Sequence, residues 1–164
     1  MNEIATTAPA FPAMSDESIA KAARLEEVAS KAEQAEVTTH HHLHAGMYAR
    51  TMRLAAGHVL VGALVRVPTI VIFNGDSEVY VGDASMRLTG YHVINASAMR
   101  KQVFLAYSDC DITAVFATDA ETVEQAENQA TNEAENLLSR REGNPNLSFE
   151  SRSQQCLMPQ SSQQ

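Results

Sequence analysis

Histidines are the residues of this chain most suited to chemistry, and four of the six lie between His40 and His44 in the segment TTHHHLHAGMYAR. In an extended strand alternate side chains share a side, so His40, His42 and His44 would form one imidazole face. Three imidazoles on one face could bind zinc or nickel. Since no acidic residue is close in sequence, we predict no catalytic centre and no bound metal. The interpretation we favour is a polar strand or linker, and His40, His42 and His44 are kept as candidate metal ligands.

The remaining polar residues form no recognisable catalytic motif. Asp109 and Asp111 flank Cys110 at a predicted turn, where paired carboxylates could bind a cation, but a solvated turn is the interpretation we favour. Asp76 and Glu78 are interpreted in the same way. The sequence has no glycine-rich phosphate loop and no nucleophile elbow. We therefore predict no catalytic and no cofactor-binding residues, and no cofactor.

Composition limits the classes of partner. With 164 residues the chain suits one domain, and its net charge of −8 disfavours duplex nucleic acid and anionic membranes. The longest apolar run, LAAGHVLVGALV from Leu54, is shorter than the roughly 20 residues that cross a bilayer. We expect no secretory signal at the N-terminus. Cys110 and Cys156 lack paired spacing, which favours a reducing compartment.

Strand signals fill the middle of the chain. Between Met47 and Thr118, about eight short segments rich in Val, Ile, Thr, Phe and Tyr alternate with turn residues. The clearest hairpin signal is Asn74-Gly75, between TIVIF and SEVYVG. This spacing predicts an antiparallel sandwich or barrel.

The N-terminal part, residues 1–46, is predicted to be an arm, a helix and a histidine-rich linker. Residues 1–14 show no periodicity, and Ser15 or Asp16 could cap an alanine-rich helix that extends to Glu36. Its apolar stripe is weak because most of its members are alanines. We expect this helix to lie on another chain or on the body of its own domain.

The C-terminal part, residues 119–164, is predicted to be an amphipathic helix followed by a polar tail. Thr118 and Glu121 fit a capping box, and the apolar spacing then indicates a helix to about Arg141. Residues 47–118 are predicted to form a barrel that has its own core. We therefore expect deletion of residues 1–36, and separately of residues 144–164, to leave the barrel folded and to weaken its attachment to a particle.

The stretches GMYARTMRLAAGHVLVGALV, NGDSEVYVGDASMRLTGYHVIN and KQVFLAYSDCDITAVFATDAETVEQAE resemble a group of phage-encoded cupin-like proteins. The shared features are a G-x-YAR strand, an AG-x-VL-x-G turn and strand, a later hairpin and an acidic helix, from about His44 to Glu135. The resemblance implies a double-stranded β-helix. We therefore expect a mainly β fold, a cupin-like jelly-roll barrel with an N-terminal arm and helix and a C-terminal amphipathic helix.

The resemblance also indicates where this chain departs from metal-binding cupins. Those proteins usually carry two histidines and an acidic residue after the first glycine motif, and another histidine on the later strand pair. Here Val65 and Pro68 stand about where the first histidines would be, and NASAMRKQVFLAYS contains no histidine. Neither side chain can ligate a metal, so the barrel is expected to lack its metal.

Two functions of different classes are consistent with these features. The first is a non-enzymatic structural protein of a phage virion, most simply capsid cement or decoration, or a component attached to the tail or portal. It would be assembled in the host cytoplasm as a homo-oligomer and contact other virion proteins, such as the major capsid or tail proteins. The alternative is a cupin-type small-molecule-binding protein or metalloenzyme that takes a sugar or a small acid.

Overall fold

The computed structural model describes residues 8–150. The expectations for the first seven residues, for the tail beyond residue 150 and for Cys156 lie outside this range. Within it, the chain forms nine strands, two α-helices and two short 3₁₀ turns. The strands are β1 (Ala10–Phe11), β2 (Thr39–His44), β3 (Met47–Leu54), β4 (Val59–Val61), β5 (Thr69–Val81), β6 (Ala84–Ala96), β7 (Val103–Ala106), β8 (Cys110–Ala117) and β9 (Asn146–Glu150). The helices are α1 (Asp16–Ala29) and α2 (Val123–Ala130), and the 3₁₀ turns span Ala134–Asn136 and Leu138–Arg140.

The predicted mainly β, jelly-roll fold with flanking helices is confirmed. The principal strand order is β1-β6-β5-β8-β3-β2-β9, and a second layer is formed by β7 between β5 and β4. Strand β5 pairs with β8 over Ile70–Asn74 and with β7 over Ser77–Tyr80. Because β5 changes partner at its middle, the sheet folds over on itself and encloses an interior. Strand β2 pairs with β3 along its whole length, so the histidine segment is part of the sheet.

The prediction of a hairpin turn at Asn74-Gly75 is wrong. These residues lie inside the 13-residue strand β5, and the chain reverses after Val81 instead. Gly75 has a φ of +143° and faces Gly90 on β6. A Cβ at Gly75 would lie 2.6 Å from Cys110 Sγ, so glycine permits a bend and a close contact there rather than a turn.

Helix α1 begins where the sequence predicts but ends earlier. The Ser15 side chain caps it by accepting a hydrogen bond from the Ser18 backbone N–H at 3.2 Å. It ends at Ala29 rather than at Glu36. The Gln34 amide donates to the Ala29 carbonyl at 2.8 Å, which supplies a side-chain partner at the place where the helical bonds stop.

Helix α1 packs on the barrel of its own chain, which is one of the two alternatives left open by the sequence. The side chain of Lys101 is fully buried and contacts Glu26 of α1 at 2.8 Å and Glu133 at 2.7 Å. Lys21 also contacts Asp83, in the turn between β5 and β6, at 2.9 Å. These ion pairs link α1, the barrel and the C-terminal segment.

The prediction of a single C-terminal helix from Asp119 to Arg141 is also wrong. Helix α2 is capped by Thr122 rather than Thr118 and stops at Ala130, and Thr131 is extended. The reason is tertiary: the Glu133 carboxylate accepts hydrogen bonds from the Leu64 backbone N–H at 2.9 Å and from Lys101. These contacts pull the chain out of the helix and outweigh local helix propensity.

The described N-terminal segment contributes to the main core. Phe11 is fully buried, and its ring meets that of Phe104 edge to face with centroids 6.3 Å apart. The backbone O of Phe11 accepts from the Ser97 N–H at 2.8 Å. Phe11 therefore closes the barrel from a position 36 residues before Met47, where the sequence places the start of the barrel.

Candidate functional site

A cavity of about 120 Å³ lies between the two layers of the barrel. On β3, the alternate residues Tyr48, Arg50 and Met52 face it because strand side chains alternate. Arg100 and Gln102, just before β7, face it from the second layer. Apolar side chains form most of the remaining wall. The cavity is thus a mainly apolar chamber that a few polar residues border.

Arg100 is the most deeply buried charge of this chamber, with only 2% of its surface exposed. Its Nε donates to Gln102 Oε1 at 3.3 Å, and its terminal nitrogens donate to the Ser97 carbonyl and to Thr69 Oγ1. Burial lowers the pKa of Arg100 to about 10, so the guanidinium remains charged at neutral pH. No carboxylate in residues 8–150 forms an ion pair with it.

Two other donors in the chamber have no protein partner in the part of the chain that is described. The amide of Gln102, which is 7% exposed, accepts from Arg100 through Oε1, and its Nε2 is left unpaired. Arg50 Nε is also buried without a partner, and burial lowers the pKa of Arg50. A buried donor without an acceptor carries a desolvation penalty of about 1–3 kcal/mol.

Glu127, on α2, is the buried carboxylate at the edge of the chamber, and its charge is already balanced. Its Oε2 accepts from Arg140 Nε at 2.9 Å, and its Oε1 accepts from Ser139 Oγ at 2.5 Å. Glu127 is 3% exposed, so these bonds are held away from solvent. The two guanidiniums of Arg50 and Arg100 therefore give the chamber an excess of positive charge.

A larger groove of about 310 Å³ adjoins the chamber and lies between the end of α1, β4 and the 3₁₀ turns. Arg50, Met52 and Leu60 line both spaces. The groove and the chamber are therefore neighbouring spaces.

The histidine segment lies elsewhere, at the β2 end of the sheet. As predicted, His40, His42 and His44 share one face, and they are half-buried or exposed. His42 stacks on Phe149 with ring centroids 4.7 Å apart. Within residues 8–150, no group of three or more His, Cys, Asp or Glu side chains is arranged to hold a metal ion. The three histidines thus share a face, but within residues 8–150 they do not form a group that could hold a metal ion.

His41, on the opposite face of β2, is buried and forms hydrogen bonds to neighbouring strands. It is 2% exposed, with Nδ1 2.7 Å from Tyr48 Oη and Nε2 3.0 Å from Asn146 Oδ1. Burial lowers the pKa of His41 below its ordinary value of 6.5. The neutral ring therefore ties β2 to β3 and β9.

The unfolded chain should accordingly take up a proton at His41 more readily than the native protein does. We expect the free energy of unfolding to fall as the pH drops below about 6.5, because burial lowers the pKa of native His41 and the unfolded chain then binds more protons than the native protein. Urea unfolding between about pH 7.5 and pH 5.5 measures this slope. His41→Gln should flatten it, whereas His44→Gln, at an exposed position, should not. Equal slopes in the wild type and in His41→Gln would contradict the assignment.

The other acidic candidates have structural contacts. Asp109 accepts from the Ala56 backbone N–H at 3.0 Å, and Asp111 lies 3.6 Å from Arg53. Asp76 accepts two hydrogen bonds from Arg87, at 2.5 and 2.7 Å. These carboxylates are engaged separately rather than converging on one point.

Sequence reasoning placed Val65 in the barrel wall but missed the polar residues beside it. Val65 lines the chamber and bridges to Arg100 through the backbone, whereas Pro68 is exposed and lies outside the lining. A signal for Arg50 was present, since it falls on the same strand face as Tyr48 and Met52. No local pattern marks Arg100 or Gln102, because they become neighbours of Arg50 only through strand pairing.

Comparisons with known proteins found similarity only to solved structures. No protein-family model and no curated protein matches this chain. Among solved structures, a cupin superfamily protein from Desulfitobacterium hafniense is 16% identical over 56% of this chain and 88% of its own, with a TM-score of 0.44. A cupin 2 conserved barrel domain protein from Leptotrichia buccalis is 14% identical over 55% and 44%, with a TM-score of 0.41. The salicylate 1,2-dioxygenase from Pseudaminobacter salicylatoxidans is 15% identical over 61% and 32%, with a TM-score of 0.42.

The fold of this chain is therefore described from its own strand pairing. None of the helices within residues 8–150 combines the length and the apolar character needed to cross a membrane.

Proposed function

We propose that the protein binds a small molecule inside its barrel without using a metal. The observation that carries this proposal is the chamber itself, a mainly apolar space between the two layers that the polar residues Arg50, Arg100 and Gln102 border. Valine occupies the place where the resemblance expects a metal ligand, so the side chains must supply the recognition. Buried polar donors in a mainly apolar pocket are the usual means by which a protein orients a small ligand. Binding without chemical conversion is the role we assign to this chamber.

A substitution that fills the chamber tests this function. Val65→Phe should remove the binding of small solutes, because the added ring would occupy much of a cavity of about 120 Å³. Val93→Phe is the matched control, since Val93 is 51% exposed on the outer face of β6. The measurement is chemical-shift perturbation of cavity amides by a panel of small carboxylates, amides and alcohols. Perturbations that persist unchanged in folded Val65→Phe protein would contradict the proposal.

A second candidate function, a structural component of a phage virion, is favoured by the outer face of the sheet. Ile70, Tyr91 and Val93 are 39%, 67% and 51% exposed and lie on one side of the β5–β6 pair. Apolar side chains grouped in this way are typical of a protein contact surface. In this proposal the protein is a non-enzymatic homo-oligomer in the virion that contacts capsid or tail proteins. Finding this chain in purified particles, at a fixed copy number, would support it, and its absence from them would contradict it.

A further inference from the structure

Six strands, in the order β6-β5-β8-β3-β2-β9, share one outer face on the side of the sheet away from the chamber. Strand pairing aligns their outward positions into rows, and two adjacent rows cross all six strands. One row runs from Val93 on β6 to Leu147 on β9, and the next runs from Asn95 to Phe149. We call these two rows, with the partial rows on either side of them, the outer face.

The outer face is apolar where a solvated sheet face is normally polar. In an antiparallel sheet with one exposed face, apolar and polar side chains usually alternate. In the first half of β5, Val71 and Phe73 face the interior and are buried. The outward residues beside them, Ile70 and Ile72, are also apolar. A strand that is apolar on both sides is typical of a sheet covered on both faces.

The apolar character extends across the whole width of the outer face. Exposed large apolar side chains lie on the strands at both of its ends and on β3 in between: Met47, Ile70, Tyr91, Val93, Leu147 and Phe149. Solvent-exposed apolar side chains grouped in this way mark a surface that contacts another molecule.

Charged side chains are missing from the centre of the outer face. Among the described residues, the two complete rows contain no lysine, arginine, aspartate or glutamate, although these make up 20% of the chain. In the partial row beside them, Arg53 and Asp111 lie 3.6 Å apart and offset each other. The partner of this face is therefore recognised by apolar contact rather than by opposite charge.

Neither α-helix covers the outer face in the part of the chain that the structure describes. Ala126 of α2 packs with Tyr48 and Phe116, which point to the opposite side of the sheet. Helix α1 lies against β4 and contacts Lys101. The face is thus open to a second molecule.

The area of the outer face meets the requirement of a specific interface. Neighbouring strands are about 4.8 Å apart and outward positions repeat about every 6.8 Å along a strand, so each position occupies about 33 Å². The two complete rows and the partial rows together span about 600 Å² on this spacing. Two such faces would bury about 1,200 Å², which is the lower limit for a specific, stable interface.

We propose that two copies of this chain pack their outer faces together about a two-fold axis. In a two-fold contact the same patch serves both partners, so each apolar face meets its like. Two copies also have the same sheet twist, which lets aligned sheets pack face to face about 10 Å apart. A net charge of −8 makes two copies repel each other, and this repulsion is smallest where the meeting surfaces are uncharged.

This inference is independent of solute binding in the chamber. It rests on the same surface as the virion proposal and names the first partner of that surface, a second copy of the chain.

Sedimentation equilibrium of the full chain tests the dimer. The range from about 1 to about 200 µM is suitable, because an interface near the lower size limit should dissociate at micromolar concentration. We expect the mass to rise with concentration from the 17.8 kDa of one chain to twice that value, without larger species. A single-chain mass at every concentration would overturn the inference.

Two matched variants locate the interface. Val93→Arg should weaken the dimer at least about tenfold, because each copy would bury an unpaired guanidinium in the contact. Val59→Arg is the control, since Val59 is 49% exposed, close to the 51% of Val93, but lies on β4 in the second layer. A Val93→Arg protein that dimerises like the wild type, or a loss of the dimer in Val59→Arg, would overturn the inference.

Dilution of the wild-type protein gives a test that needs no variant. Amide chemical shifts should change between high and low concentration on the outer-face strands, for example at Ile70, Val93 and Leu147. Changes confined to β4 and β7 would place the contact elsewhere and overturn the inference. The other proposals have separate readouts: solute-induced shifts of cavity amides for the chamber, and copy number in purified particles for the virion role.

Discussion

Replacing Gly75 with alanine is expected to destabilise the protein by about 2–6 kcal/mol. The φ of +143° is a conformation that essentially only glycine adopts, and forcing another residue into it costs about 1–3 kcal/mol. The new Cβ would also lie 2.6 Å from Cys110 Sγ and 2.8 Å from the Asp109 carbonyl oxygen. Relieving that overlap in a packed interior costs about another 1–3 kcal/mol. Urea unfolding at neutral pH measures the loss.

Gly90 provides the matched control because it pairs with Gly75 across the β5–β6 hairpin. It also has a positive φ, of +82°, but nothing lies within 4 Å of a Cβ placed there. Gly90→Ala should therefore lower the free energy of unfolding by only about 1–2 kcal/mol, the cost of placing a residue with a Cβ in a left-handed backbone conformation. If the two variants lost equal stability, the close approach of Gly75 to β8 would not be what requires glycine.

Phe11→Ala is expected to destabilise the protein by about 3–5 kcal/mol, the usual cost of removing a fully buried phenylalanine. The ring is 0% exposed and contacts Phe104, which also lines the chamber. The loss should therefore appear both in thermal unfolding and in weaker binding of a solute in the chamber. This expectation replaces the one drawn from the sequence, in which residues 1–36 are dispensable for folding.

Phe149→Ala is the same change at a position on β9 that is 52% exposed. It removes the stacking with His42 and should cost no more than about 1.5 kcal/mol. A Phe11→Ala protein as stable as Phe149→Ala would show that residues 8–14 do not belong to the barrel core. Deletion of residues 1–36 with retention of the wild-type melting temperature would show the same.

The sequence by itself determined those features that depend on a local pattern of residues. Short segments rich in Val, Ile, Thr, Phe and Tyr between turn residues indicated a mainly β chain, and Ser15 or Asp16 marked the start of a helix that the structure begins after Ser15. The period of two placed His40, His42 and His44 on one face of a strand. These features depend on backbone geometry within a few residues, so a single sequence is enough to predict them.

What only the tertiary structure decided was which distant residues meet. Asn74-Gly75 has the local chemistry of a hairpin, yet the contact with Cys110 makes it a bend within β5. The C-terminal helix stops at Ala130 because Glu133 is drawn to Lys101 and Leu64. The chamber is the clearest case: Arg50 and Gln102 are 52 positions apart in sequence, and pairing of β3 with β8, β8 with β5 and β5 with β7 brings them to one space. Such convergence depends on the summed burial of the whole core, and no local spacing encodes it.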